Sequence, residues 1–331
     1  MVLSKWILPV LVATSLFFSG CSKKEVWVYT NLSKETISEF DVIARIALPK
    51  IDVKWLQGAS DTIAETFDAE LKEGKPRAGI LITGDPLWYL ELKKRNVLLQ
   101  YNSPATTDIP AQYKDSENFY SAFRLSAMLI AYNYKTYTPM DVPEKWTDLT
   151  KPNWKQKISI GSPLESEISF IGVSKLAKRF GWEYFAELRN LSLVALGGNQ
   201  AVISRIETSE RPVGIVLLEN VVKAQKLGVP VRPIYPLDGV IPIPGYIAIT
   251  KTVKHPKAAK KLYDWLFSPA AQNVLTNNFI YSPNPKIVTP DNTRPWRELR
   301  TNLFEWNNEV LKELLDERDQ IRARFSETVL H

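Results

Sequence analysis

Short β-branched and aromatic runs alternate with segments of helical spacing along this chain, and that alternation restricts its fold more than any other feature. Residues 26–30 (VWVYT), 51–56 (IDVKWL) and 79–82 read as strands. Residues 36–48, 61–71 and 85–94 read as helices, the middle one capped by Ser60 and closed by Gly74. Such alternation predicts an α/β layered fold with a mainly parallel sheet. A second unit of the same kind begins near Ser121, with strands at 128–133, 157–160, 193–196 and 212–218 and helices at 168–179, 182–189 and 200–206. Strands at 231–235 and 246–249 then lead into a helix at 256–266. Two α/β units joined by extended crossings leave a cleft between them, and such clefts are where small ligands bind. Residues 307–325 are densely charged with apolar positions at Val310, Leu311, Leu314, Leu315 and Ile321, which predicts one amphipathic terminal helix bracing one lobe.

Charge excludes one large class of function. The formal net charge is +6, but the basic residues are scattered, with no run longer than Lys93-Lys94-Arg95. A nucleic-acid surface needs a concentrated basic stripe with interleaved aromatics, so no nucleic-acid partner is expected. A mild basic excess instead draws anions or a membrane surface.

Cys21, the single cysteine, sets the compartment. It follows Lys5, a mostly apolar run over 6–18 broken by Pro9, and the small pair Ser19-Gly20, which is the order of a secretory signal. The run is shorter than the roughly 20 apolar residues that span a bilayer. Phe18-Ser19-Gly20-Cys21 also resembles a bacterial lipobox, which implies cleavage after residue 20 and lipidation of Cys21. The expectation is a membrane-anchored lipoprotein outside the cytoplasm, on the inner or the outer membrane. With no second cysteine, no disulfide is available and the exported fold relies on its core.

A longer resemblance runs through the chain. The succession VWVYTNLSKE, VKWLQGASDTIAETF, GILITGDPLWYLELKKRNVLLQY, IAYNYK, PEKWTDLTKPNWKQKISI, GWEYFAEL, YPLDGVIPIPGYIAITK and HPKAAKKLYDWLFSPAAQNVL is similar to the periplasmic solute-binding proteins of ABC importers. Within them it resembles the type 2 branch that binds ferric ion, phosphonates and sugar phosphates. The resemblance implies a two-lobed fold, each lobe a mainly parallel sheet flanked by helices. It also implies closure on a small anionic solute and delivery to an ABC permease in the inner membrane, by a monomer without a cofactor. The expected division is a signal at 1–20, lobe I at 21–122 plus 236–288, and lobe II at 123–235 plus 289–331 with the terminal helix.

Five strand-to-helix turns match the cleft of that family: Thr30, Asn31 and Ser33; Gly58, Ala59 and Ser60; Gly84 and Asp85; Ser162 and Ser166; Gly198 and Asn199. Helix starts offer unpaired N–H groups and a positive dipole end, and together such turns suit a small anion. Taken singly, Ser60 and Asn199 are also ordinary N-caps. The iron-binding branch typically carries a tyrosine pair where this chain reads Leu217-Leu218-Glu219-Asn220-Val221-Val222, and neither His255 nor His331 lies at a matching position. Asp85, Glu165, Glu167 and Glu219 leave an oxygen-only cation site as an alternative. Ser166-Glu167-Ile168 stands where relatives carry Ser-Gly-Thr, so Glu165 and Glu167 either suit a zwitterion such as an aminophosphonate or simply face solvent in a first turn.

Enzyme readings fail on inventory. No candidate serine has a histidine nearby, and no GxSxG, HExxH or phosphate-cradling glycine loop occurs. Two other roles remain for the same fold: a ligand sensor presenting its closed form to a membrane receptor, and a scaffold lipoprotein whose cleft has degenerated at Glu167 and Ile168.

Overall fold

The structure, a computed structural model, describes residues 23–331. The signal, the lipobox and Cys21 therefore lie outside the described residues.

The first side of the molecule follows the expected alternation: β1 (Lys24–Thr30), α1 (Lys34–Ala47), β2 (Ile51–Gln57), α2 (Ser60–Lys72), β3 (Ala78–Thr83) and α3 (Pro86–Lys94). β1 pairs in parallel with both β2 and β3. All six residues of β3 are buried, as a central strand covered on both faces requires. After the short β4 (Leu98–Leu99), the chain enters β5 (Ser121–Asn133), thirteen residues long and buried throughout. Only its second half is legible as a strand in the sequence, because Arg124 and Ser126 interrupt the apolar run.

The second side contains β6 (Ile158–Ile160), α4 (Glu167–Phe180), α5 (Trp182–Asn190), β7 (Val194–Ala195), α6 (Asn199–Glu207), β8 (Val213–Leu217), α7 (Leu218–Lys226) and β9 (Val231–Ile234). β10 (Ile241–Thr250) then returns to the first side, followed by α8 (Pro256–Leu266) and α9 (Pro269–Asn277), which pack on α1 and β3. Among the described residues the strands form one connected sheet in the order β2-β1-β3-β10-β5-β8-β6-β7, with β4 on β10 and β9 on β5. The two lobes are its two ends. Parallel pairs lie at those ends, whereas β10 and β5 are antiparallel to each other and to β3 and β8, so the sheet is mixed.

The prolines of β10 fit this arrangement. Pro242 and Pro244 pair with β5, while β3 pairs only with Tyr246–Ile249 farther along. They thus occupy the stretch with one strand neighbour, where a missing N–H breaks no ladder. Trp146, from the WTDL motif, is fully buried and donates its indole N–H to the Gly239 carbonyl at 2.7 Å. That distinctive motif ties the second lobe to the entry of β10.

The C-terminal segment departs from expectation. Instead of one helix over 307–325 there are α10 (Trp296–Leu299), α11 (Asn308–Asp316) and α12 (Arg318–Phe325), with Glu317 leaving helical geometry between the last two at φ −99°, ψ 1°. Past the break the apolar face is carried by Ile321, packed against the core, and by the fully buried Phe325, while Arg318 and Arg322 meet acids. Nor does the segment brace a single lobe. α11 packs on α3 and its Glu313 pairs with Lys178 of α4, while Arg318 reaches both Glu91 of α3 and Glu167 of α4, at 3.0 and 3.6 Å.

Candidate functional site

The site grows from Arg124, a residue to which the sequence reading assigns no role. It lies on β5 where that strand crosses between the lobes and is 8% exposed. An arginine is always charged, and its planar fork carries five N–H donors. Burial opposes the charge, and the Glu219 carboxylate, 3.9 Å from Nη1, supports it. Nη2 donates to Asn31 Oδ1 at 3.2 Å, and buried Nε has no partner. The fork therefore retains donors that the fold does not use.

Two glycines make this room. A Cβ at Gly84 would stand 2.8 Å from Arg124 Nη2 and 3.1 Å from Asn31 Nδ2, and a Cβ at Gly245 would stand 2.7 Å from Arg124 Nε. Gly245 is also where the β10–β5 register shifts, so the irregularity that bends β10 opens space for the guanidinium. The lobes meet at this point: Ile168, in the first turn of α4, is 3.7 Å from the Gly84 position.

Around Arg124 the expected turn residues divide into two groups. Ser33 accepts from the Thr36 N–H at the start of α1, Asp85 accepts from Leu87 and Trp88 at the start of α3, and Ser166 accepts from Ser169 at the start of α4. Thr30 is buried and accepts from Leu32, and Ser162 accepts from Leu164. In all five a side-chain oxygen is committed to its own turn, in Asp85 through Oδ1 alone. The starts of α2 and α6 differ, because Ala59 and Gly198 hold the N-cap positions and neither supplies a side-chain acceptor.

Ser60 is accordingly not a cap. It is the first residue of α2, and its hydroxyl accepts from Asn31 Nδ2 at 3.0 Å, which continues the line Arg124–Asn31–Ser60. Asn199 is not a cap either; its Oδ1 accepts from the Leu217 N–H, which fixes the turn that begins α7. Glu219 in that turn accepts from Ser126 Oγ at 2.6 Å. Gly58 donates its N–H to the Thr30 carbonyl and sets the spacing between the first two turns.

Asp85 and Glu167 lie near one another, but the acids do not converge on a shared cation site. Glu165 accepts from the Gly197 N–H at 2.8 Å, Glu219 is held by Ser126, and Asp85 caps α3. Among the described residues no three His, Cys, Asp or Glu side chains are disposed to share a cation. Glu167, read from sequence as facing either a ligand amine or solvent, instead pairs with Arg322 at 2.7 Å, and its side chain is 9% exposed. Burial raises the carboxyl of Asp85 to about 7, with the nearby Glu167 carboxylate adding to the rise and the N–H groups of α3 and Arg318 opposing it. A carboxyl raised this far is divided between its protonated and ionised forms near neutral pH.

Comparison with known proteins places this architecture. The family model described as "Bacterial extracellular solute-binding protein" matches residues 76–306. A curated relative from Sinorhizobium fredii, named as the probable ABC transporter periplasmic-binding protein y4fP, is 30% identical over 111 residues, 34% of this chain. That match spans 30% of the relative's own length. Among solved structures, iron-bound HitA from Pseudomonas aeruginosa superposes with a TM-score of 0.78 at 16% identity, covering 91% of this chain and 99% of that one. AfuA from Actinobacillus pleuropneumoniae, with fructose-6-phosphate bound, gives 0.78 at 19% identity, covering 93% and 99%. The ferric binding protein from Campylobacter jejuni gives 0.75 at 19% identity, covering 92% and 99%. At these identities the likeness is one of fold.

Proposed function

The chain belongs to the bacterial extracellular solute-binding proteins, and on that premise we propose that it captures a small organic anion between its lobes and delivers it to the membrane permease of an ABC importer. The observation that carries this reading is Arg124, a buried guanidinium at the lobe boundary with donors left over. The uncapped starts of α2 and α6 support it, since free N–H groups at helix N-termini receive anions. The name of the Sinorhizobium relative supports the ABC partnership.

Asp85 narrows the solute. When ionised, a carboxyl beside an anion site accepts from a ligand that brings its own hydrogen-bond donors, and when protonated it donates to the anion itself. A phosphate or phosphonate carrying hydroxyl or ammonium groups satisfies Arg124 and Asp85 together. Gly58, Ala59, Ser60, Gly84, Gly198 and Asn199 would border it through backbone, with Thr30, Ser33, Ser162 and Ser166 shaping the turns behind. Asn31 and Glu219 would hold the guanidinium in place.

Thermal melting with a panel of sugar phosphates, aminoalkylphosphonates, inorganic phosphate and ferric citrate tests the reading. A ligand at a hundred times its Kd adds about 2.7 kcal/mol to stability. We expect organic phosphates or phosphonates to raise Tm more than phosphate or ferric citrate; a panel with no stabilising organic anion would sink the proposal.

We also propose that Cys21 tethers the protein to the membrane, on the strength of the charge, apolar run and small residues that precede it. Cys21→Ser should move the protein from the membrane fraction to the soluble fraction with ligand affinity unchanged. Continued membrane attachment would count against the anchor.

A further inference from the structure

The two helices α11 and α12 are divided between the lobes. α11 lies with the first: Val310, Leu311 and Leu314 are buried, the helix packs on α3, and Asn308 Nδ2 donates to the Lys114 carbonyl at 3.1 Å. α12 lies with the second: the Phe325 ring meets Phe185 of α5 with centroids 5.6 Å apart, and Arg322 pairs with Glu167 at 2.7 Å and donates from Nε to the Pro163 carbonyl at 3.2 Å. Glu317, where helical geometry is lost, is the joint between the halves.

Two ion pairs cross back over this joint. Glu313 of α11 reaches Lys178 on α4 in the second lobe, and Arg318 of α12 reaches Glu91 on α3 in the first, at 3.0 Å. Arg318 also lies 3.6 Å from Glu167, so one guanidinium stands between carboxylates of opposite lobes. Because each half packs on a different lobe, separating α3 from α4 breaks both crossing pairs. The form they hold is the shut one, in which Ile168 of α4 lies 3.7 Å from the Cβ position of Gly84, just before α3. We propose that residues 308–325 are an interlobe clasp that bends at Glu317 and biases the protein toward the shut form before a solute arrives.

The members of both pairs are partly exposed, and an exposed ion pair is a weak contact. Two of them acting on a hinge equilibrium shift its populations without locking it. A solute that needs the shut form binds in proportion to the fraction already shut, so such a bias raises affinity without any contact to the solute. The inference rests on the capture reading only in taking the lobes to open and close, and its test needs no solute.

Double electron–electron resonance on the full chain carrying Cys21→Ser, with spin labels at Glu65→Cys on α2 and Ser204→Cys on α6, measures the distance between the lobes. Both positions are exposed, and removing the single native cysteine confines the labels to them. We expect Glu91→Gln combined with Glu313→Gln to raise the ratio of long to short distances about threefold or more, as loss of two exposed ion pairs does. Glu91→Lys, which sets like charges against each other, should also move the distribution to longer distances. Lys94→Gln is the control: Lys94 meets Asp316 at 3.7 Å, but both belong to the first-lobe half, so the distances should not move. The proposal is overturned if the paired glutamine variant and Glu91→Lys leave the distribution unchanged, or if Lys94→Gln widens it equally, which would make lost charge rather than the crossing pairs the cause.

Discussion

Arg124→Gln is expected to abolish useful capture of an organic anion while leaving a folded protein. Truncating one partner of a buried, hydrogen-bonded charge pair in a binding interface costs about 2–5 kcal/mol, and every 1.4 kcal/mol is tenfold in affinity. The loss should therefore fall between about thirtyfold and a few thousandfold. Glutamine retains a donor for Asn31 Oδ1, and Glu219 keeps its bond from Ser126, so the fold loses one long ion pair rather than a network. Arg124→Lys separates charge from geometry: it keeps the positive charge but not the fork, and should recover only part of the affinity. Calorimetry with the best ligand of the phosphate and phosphonate panel measures both variants. A glutamine variant that binds within about threefold of the unaltered protein would remove Arg124 from the site.

Asp85→Asn should make the protein more stable at neutral and alkaline pH and flatten its pH dependence. The carboxyl is raised from 3.8 to about 7, chiefly by burial and then by Glu167. Between those values the folded form keeps a proton that the unfolded chain has released, so stability falls as pH rises, by up to about 1.4 kcal/mol per unit. Below the unfolded value both forms are protonated and the group contributes nothing to the slope; above the folded value its full penalty is present. Asparagine has no such titration and caps a helix as well as aspartate does, so the bonds from Leu87 and Trp88 are retained. Urea denaturation at pH 4, 6 and 8 should show the variant near parity at pH 4 and ahead by a few kcal/mol at pH 8, on the order set by the size of the shift. Equal stability at pH 8 would show that Asp85 ionises freely.

Much of the fold was legible in the sequence because repeated patterns carry it. The strands of β1, β2 and β3 and the helices between them recur in spacings that a single chain displays openly. The site was legible only in part. Ser60, Asn31 and Asp85 of the proposed site stand at strand-to-helix turns, a pattern that the sequence displays. Arg124 was missed because a lone charge in an apolar strand has no period, and its room comes from Gly84 and Gly245, both distant in sequence. A single arginine within SAFRLSAMLIAYN was nonetheless a usable signal, since a charge is not buried in a strand without a purpose. The position of Glu167 depended on arginines of α12, and no local rule connects them.

The return of β10 to the first lobe also decides when that lobe can form. Synthesis delivers β1, α1, β2, α2, β3 and α3, then the whole second side, and only afterwards β10, α8 and α9, which flank β3 and α1. The first end of the sheet is incomplete on a shortened chain, because β3 waits for β10. Domains that fold as independent units do so one after another as they emerge. Here the pairing of β3 with β10 spans about half the chain, and contacts of such long range form slowly. The first lobe is therefore completed only when nearly all of the chain is made.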